Sequence, residues 1–209
     1  MEGVVLFGDV VRSRGDSPRA TAWLRTLTAD LDEAYGPADR LAQFEFTQGD
    51  ELQGLLAPTS DPTRAILRAA LHPDRLPMRW VAVRGEVDAG EGPATQRSGP
   101  AFITARERLA TAAARREPVV ALRGEAWVDD LLAGLAPLLG ELLADLTGRQ
   151  RTIGRLLLVD GLRQAEAAAR LTVSRATISV AANRAHLRSI GELARVIATL
   201  LRDEPMIPR

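Results

Sequence analysis

Apolar residues follow two spacings along this chain, and the first half alternates between them. GVVLFGDVV (3–11) is a short β-rich apolar run broken only by Gly8-Asp9, the pattern of a buried strand. In SPRATAWLRTLTADLDEAYG (17–36), Ala22, Leu24, Leu27, Leu31 and Ala34 recur at helical spacing. Ser17 sits at the N-cap, Pro18 at the first turn and Gly36 past the end, as helix termini favour. AQFEFTQGDELQGLLAP (42–58) reads as a hairpin turning near Gln48-Gly49. DPTRAILRAALHP (61–73) predicts a second helix, MRWVAVRGEVDAG (78–90) a strand, GPAFITARERLATAAAR (99–115) a third helix and EPVVALRG (117–124) a last strand. The order β-α-β-β-α-β-α-β predicts an α+β sandwich close to the ferredoxin-like plan over residues 1–125.

The spacing changes after that. Residues 126–148 are leucine-rich and interrupted by Pro137, which predicts a connector of two short helices. Residues 149–203 carry only helical periodicity and are expected to form a separate all-α domain, followed by a frayed tail. Its last helix, from Ser189 to Asp203, aligns Ile190, Leu193, Val196, Ile197, Leu200 and Leu201; such a stripe is expected to be intramolecular core.

Composition narrows the chemistry. Cysteine is absent, which excludes disulfides, thiolate metal sites and a cysteine nucleophile. Two distant histidines, His72 and His186, make no histidine metal site. With no basic-then-apolar leader and no apolar run of about 20 residues, the expectation is a cytoplasmic protein without membrane contact. Every basic side chain is arginine, so chemistry that needs lysine is excluded. Net charge is zero overall but unevenly spread. Residues 1–148 hold 16 Arg against 22 acids (−6), and residues 149–209 hold 11 Arg against 5 acids (+6). That asymmetry predicts an anionic partner for the second module.

QAEAAARLTVSRATIS (164–179) reads as two short helices joined by a turn at residues 171–174. Ala167 and Ala168 allow close approach, Val173 and Ile178 fill the interface, and Ser174 caps the second helix. Residues 146–188 resemble the helix-turn-helix of sigma-factor region 4 and related bacterial regulators, which commonly have Gly where Thr172 stands. The resemblance implies a second helix lying in the DNA major groove. Candidate contacts to double-stranded DNA are Gln164, Ser174, Arg175, Thr177, Ser179, Asn183 and Arg184.

The first half carries Gly-Asp twice, at Asp9 and at Asp50. Each fits an ordinary turn or strand-end aspartate. If strand 1 lies beside the hairpin, the two carboxylates fit a Mg²⁺ site shared with substrate phosphates, and Val11, Arg12 and Ser13 lead toward a helix N-terminus that favours phosphate. LFGDVVRS, TQGDELQGLL, MRWVAVRGEVDAG and GPAFITARERLATAA, in that order, resemble the palm of class III nucleotidyl cyclases and more distantly that of diguanylate cyclases. The whole chain resembles the SatD family. The palm resemblance implies metal ligands Asp9 and Asp50, Arg106 as a phosphate-binding arginine, and Mg²⁺ with a purine nucleotide. It also shows departures: Phe102 or Ile103 stands where those cyclases carry Asn, and Phe46 where adenylate-forming members carry Lys.

The expectation is therefore a transcriptional regulator, DNA-binding through its helix-turn-helix and acting as a homodimer. Its palm binds a nucleotide ligand without turning it over. The alternatives are a divergent cyclase or nucleotidyltransferase, and a palm that serves only as a dimerisation scaffold.

Overall fold

GVVLFGDVV is apolar at both strand parities, so it has to be covered on both faces. In the computed structural model, which describes residues 1–11, 17–47 and 50–202, it is β1 (Glu2–Val10). Val4, Val5, Leu6 and Phe7 are all fully buried. The expected element order is present: α1 (Ser17–Ala34), β2 (Arg40–Phe46), β3 (Glu51–Leu56), α2 (Thr63–Ala70), β4 (Met78–Glu86), α3 (Pro100–Arg115) and β5 (Val119–Leu122). The hairpin turn expected at Gln48-Gly49 lies outside the described residues, as do Arg12 and Ser13.

The five strands form one mixed sheet in the order β2-β3-β1-β4-β5. β1 is antiparallel to both neighbours, and only β4 and β5 run parallel. Strand alternation sorts the side chains. Val5, Phe7, Val81 and Val83 face α3 with Phe102, Ala105 and Leu109. Val4, Leu6, Val10, Trp80 and Ala82 belong to a larger core with α1, α2 and the later helices. Gly8 is required by this packing, because a Cβ there would lie 2.8 Å from the Trp80 ring. A buried hydroxyl ties α1 to α2: Tyr35 donates to the Asp61 carbonyl at 2.6 Å and accepts from the Ala65 amide at 3.0 Å.

The connector corrects the sequence reading. Residues expected as two short helices form one, α4 (Ala126–Ala144), with Pro137 inside it. The buried stripe explains this: Val128, Leu132, Ala136, Leu139 and Leu143 continue in register across the proline. Proline in a helix interior costs ~3 kcal/mol. Burying a large apolar side chain returns roughly 1.5–3 kcal/mol each, so the stripe wins. Gly140 lets α4 close on the sheet, since a Cβ there would lie 2.6 Å from Pro118.

Four further helices follow among the described residues: α5 (Gly148–Gly154), extended by a π-turn at Arg155–Val159, then α6 (Gln164–Arg170), α7 (Arg175–Arg184) and α8 (Leu187–Arg202). As expected, the apolar stripe of α8 is intramolecular, with Ile190, Ala194, Ile197, Leu200 and Leu201 buried. α8 returns to α4 and β5, so among the described residues the sheet domain, α4 and the later helices share one continuous core. Arg84 on β4 and Arg123, just past β5, close its end. Arg84 donates to the Leu201 carbonyl and Arg123 to the Leu200 carbonyl, each at 3.1 Å. Cations at a helix C-terminus satisfy orphan carbonyls and oppose the helix dipole. No single helix among the described residues is long and apolar enough to cross a membrane.

α6 and α7 meet through a turn at residues 171–174, with Ala167, Ala168 and Ile178 buried and Val173 half-buried. Thr172 has φ = 55°, a left-handed backbone that β-branched residues rarely take. Left-handed backbone costs an L-residue roughly 1–2 kcal/mol, and glycine's extra chain freedom costs roughly 0.5–1 kcal/mol. Thr172→Gly is therefore expected to stabilise the protein by about 0.5–1 kcal/mol in urea denaturation. A loss of stability would contradict the strain.

Candidate functional site

Asp9 is the last charge-bearing position before β1 ends, and its parity is that of Val5 and Phe7, so it points to the α3 face. The register sets its neighbours: Glu51 lies opposite on β3 and Arg79 opposite on β4. Directly opposed residues in antiparallel strands share a face, so Glu51, Asp9 and Arg79 form a row across three strands. The Val10 amide donates to the Asp50 carbonyl at 3.0 Å, which holds Asp50 beside the end of β1.

Arg79 Nη1 donates to Asp9 Oδ2 at 2.8 Å, with side-chain exposures of 11% and 24%. Burial raises the Asp9 carboxyl above its ordinary value, the Asp50 charge raises it further, and Arg79 pulls it back. The two Gly-Asp aspartates thus lie within electrostatic reach of each other. Gln53, buried beneath them, donates to Glu51 Oε1 at 2.6 Å. Arg106, expected as a phosphate ligand, projects from α3, lies 3.9 Å from Glu51 and stacks over Phe7 at 5.6 Å. Two-thirds of its side chain is exposed.

A hard cation needs oxygen ligands. Asp9 and Asp50 meet the one-or-two-carboxylate minimum for a Mg²⁺ that shares its shell with phosphates, and nothing more. Among the described residues no group of three His, Cys, Asp or Glu is placed to hold a metal. Phe102 is buried edge-on against Phe7 with ring centroids 6.0 Å apart, while Ile103 is 63% exposed. Neither offers a hydrogen bond to a ribose or a phosphate.

Of the nucleotide candidates, the structure brings Asp9, Asp50 and Val11 to one end of the sheet and places Arg106 on the same α3 face, over Phe7 and beside Glu51. Sequence reading missed Arg79, Glu51 and Gln53. Arg79 carried a usable signal: it shares parity with Val81 and Val83, and an arginine on a core-facing parity needs a carboxylate partner.

The second candidate surface lies on α7. Ser174 caps that helix by accepting from the Thr177 amide at 3.1 Å, and the two hydroxyls bond each other at 2.8 Å. Both are thereby engaged in the cap. Arg175, Asn183 and Arg184 are exposed, and Gln164, Thr177 and Ser179 are half-buried. Helical spacing puts Arg175, Ser179 and Asn183 on one line and Arg184 on the other side of exposed Val180. A shallow trough of about 540 Å³ runs from Val180 and Arg184 to Thr147, Arg149 and Gln150 at the start of α5. Arg149 was not among the sequence candidates, although its place in the arginine-rich segment was visible. α7 contains no acidic residue.

The chain matches no protein-family model, and no curated protein matches it.

Asp9 gives a direct check of convergence. Because its folded pKa lies above the unfolded value, ionised Asp9 costs stability above that pKa, and the cost fades as pH falls through it. Asp50→Asn removes a like charge, so the Asp9 carboxyl resonance in an NMR titration should move to lower pKa. An unmoved titration would show that the two carboxylates do not meet.

Proposed function

We propose that this protein is a cytoplasmic DNA-binding transcriptional regulator whose α7 is the recognition helix. α6, the 171–174 turn and α7 are read as its helix-turn-helix, and the β2-β3-β1-β4 order as a ferredoxin-like palm with β5 appended. The observation that carries the reading is the outer surface of α7. It presents Arg175, Asn183 and Arg184 to solvent with no acidic residue in the helix, within a segment of net charge +6. Duplex affinity rests first on neutralising phosphates, and specificity on side chains that reach base edges. Arg184 and Arg149 flank the trough and suit phosphates; Arg175 and Asn183 suit base edges. Acting as a homodimer, the protein would read two half-sites.

In this reading the palm end marked by Asp9 and Asp50 binds a nucleotide ligand. Those two residues would hold the Mg²⁺ that accompanies it, and the cation would supply neutralisation of the phosphates. Phe102 and Ile103 support binding without turnover, since cyclisation needs hydrogen-bonded positioning of the reacting hydroxyl. The ligand would act through its different affinity for two placements of α7. α8 joins α7 directly to the core under the sheet, which supports such coupling.

The double variant Arg175→Ala with Arg184→Ala should show no duplex shift at a protein concentration that saturates the wild type. Equal shifts for the two proteins would sink the assignment.

A further inference from the structure

Where β1 ends and β4 and β5 begin, the sheet edge opens on a cavity of about 530 Å³. That volume lies within the range of small-molecule sites, roughly 300–1,000 Å³. Apolar side chains, Ile66, Leu76, Trp80, Val119 and Leu143 among them, form about half of its wall. Its charged groups are few: the Asp9–Arg79 pair, Arg75, Arg116 and Glu117. Glu117 leans on Arg115 at 3.9 Å.

One of the arginines that line it, Arg79, lacks an acceptor, and a second, Arg75, faces like charge. Arg79 gives Nη1 to Asp9, but its buried Nε meets no acceptor among the described residues. An unsatisfied buried donor costs about 1–3 kcal/mol, more when charged. Arg75 is half-buried, and its guanidinium is disfavoured first by that burial and then by the positive charge of Arg151 on α5. Both residues line the cavity, where an oxyanion would ease the two together. The C-terminal ends of α2, α3 and α4 open on the same space, and their carbonyl dipoles temper the positive field. The donors, more than net charge, therefore select the group.

We propose that this cavity is the effector site, and that its ligand is a small molecule with a flat apolar body and one oxyanion, carboxylate or phosphate. The body fills the space under Trp80 and Leu143. The oxyanion takes the donors of Arg79 and Arg75, in the forked geometry that guanidinium offers such groups. The inference rests on the sensory half of the function proposed above and narrows its ligand class.

Isothermal titration with 2-naphthoate and 1-naphthyl phosphate, against uncharged 2-naphthalenemethanol, tests it. The two acids should bind saturably with Kd on the order of 0.1–1 mM, and the alcohol at least about tenfold more weakly. Arg75→Gln should weaken both acids by about tenfold. Ala144→Phe, at an exposed position on the rim, should abolish binding without touching the core. Preference for one acid assigns the oxyanion as carboxylate or phosphate. AMP and GMP extend the series: competition with the naphthyl acids supports the site, whereas nucleotide binding indifferent to Arg75→Gln and Ala144→Phe overturns it. Acid binding unaffected by both substitutions, or absent altogether, overturns it as well. A failed DNA shift would instead remove the regulator reading and leave these titrations standing.

Discussion

Strand β1 is paired on both edges and buried on both faces, so it has no room for a charge until it ends. Four consecutive residues, Val4 to Phe7, have no exposed surface. Gly8 then lets Trp80 cross the strand, and Asp9 follows at the first position with access to solvent. The row of Glu51, Asp9 and Arg79 exists because three strands stop at the same level. The charged end of the sheet is thus a consequence of the buried strand.

The same logic binds the two halves of the molecule. α4 lies on β5 through Gly140, and α8 lies on α4 and β5 with its terminal carbonyls held by Arg84 and Arg123. α7 then extends from α8 rather than from a separate core. Asp30 on α1 adds a link, bonded to Arg68 on α2 at 2.8 Å and 3.7 Å from Arg155 in the π-turn after α5. Packing of this kind would give a ligand at the sheet end a physical route to the helices, since it could bias α7 only through elements that already touch both.

Much of the fold was legible in the sequence because its periodicities are local. The alternation of strands and helices through residue 124, the turn at 171–174 and the buried stripe of α8 follow from spacing alone. Pro137 misled for a physical reason: local proline chemistry argues for a break, while the buried stripe that overrides it depends on contact with β5 and α8. The candidate site was legible in part. Asp9 and Asp50 stand out as Gly-Asp pairs, but their partners are set by register. Arg79 meets Asp9 from 70 residues away, and no spacing rule encodes that. Thr172 shows the reverse case, where a residue unsuited to its left-handed backbone is held there by the turn that surrounds it.

The proposed function stands or falls on whether α7 reads duplex sequence. Selection of bound duplexes from a random-sequence library tests it most directly. The wild type is expected to enrich a defined sequence, and Asn183→Ala, whose side chain is exposed on α7, to lose that enrichment. A recovered pool as random as the input would contradict it.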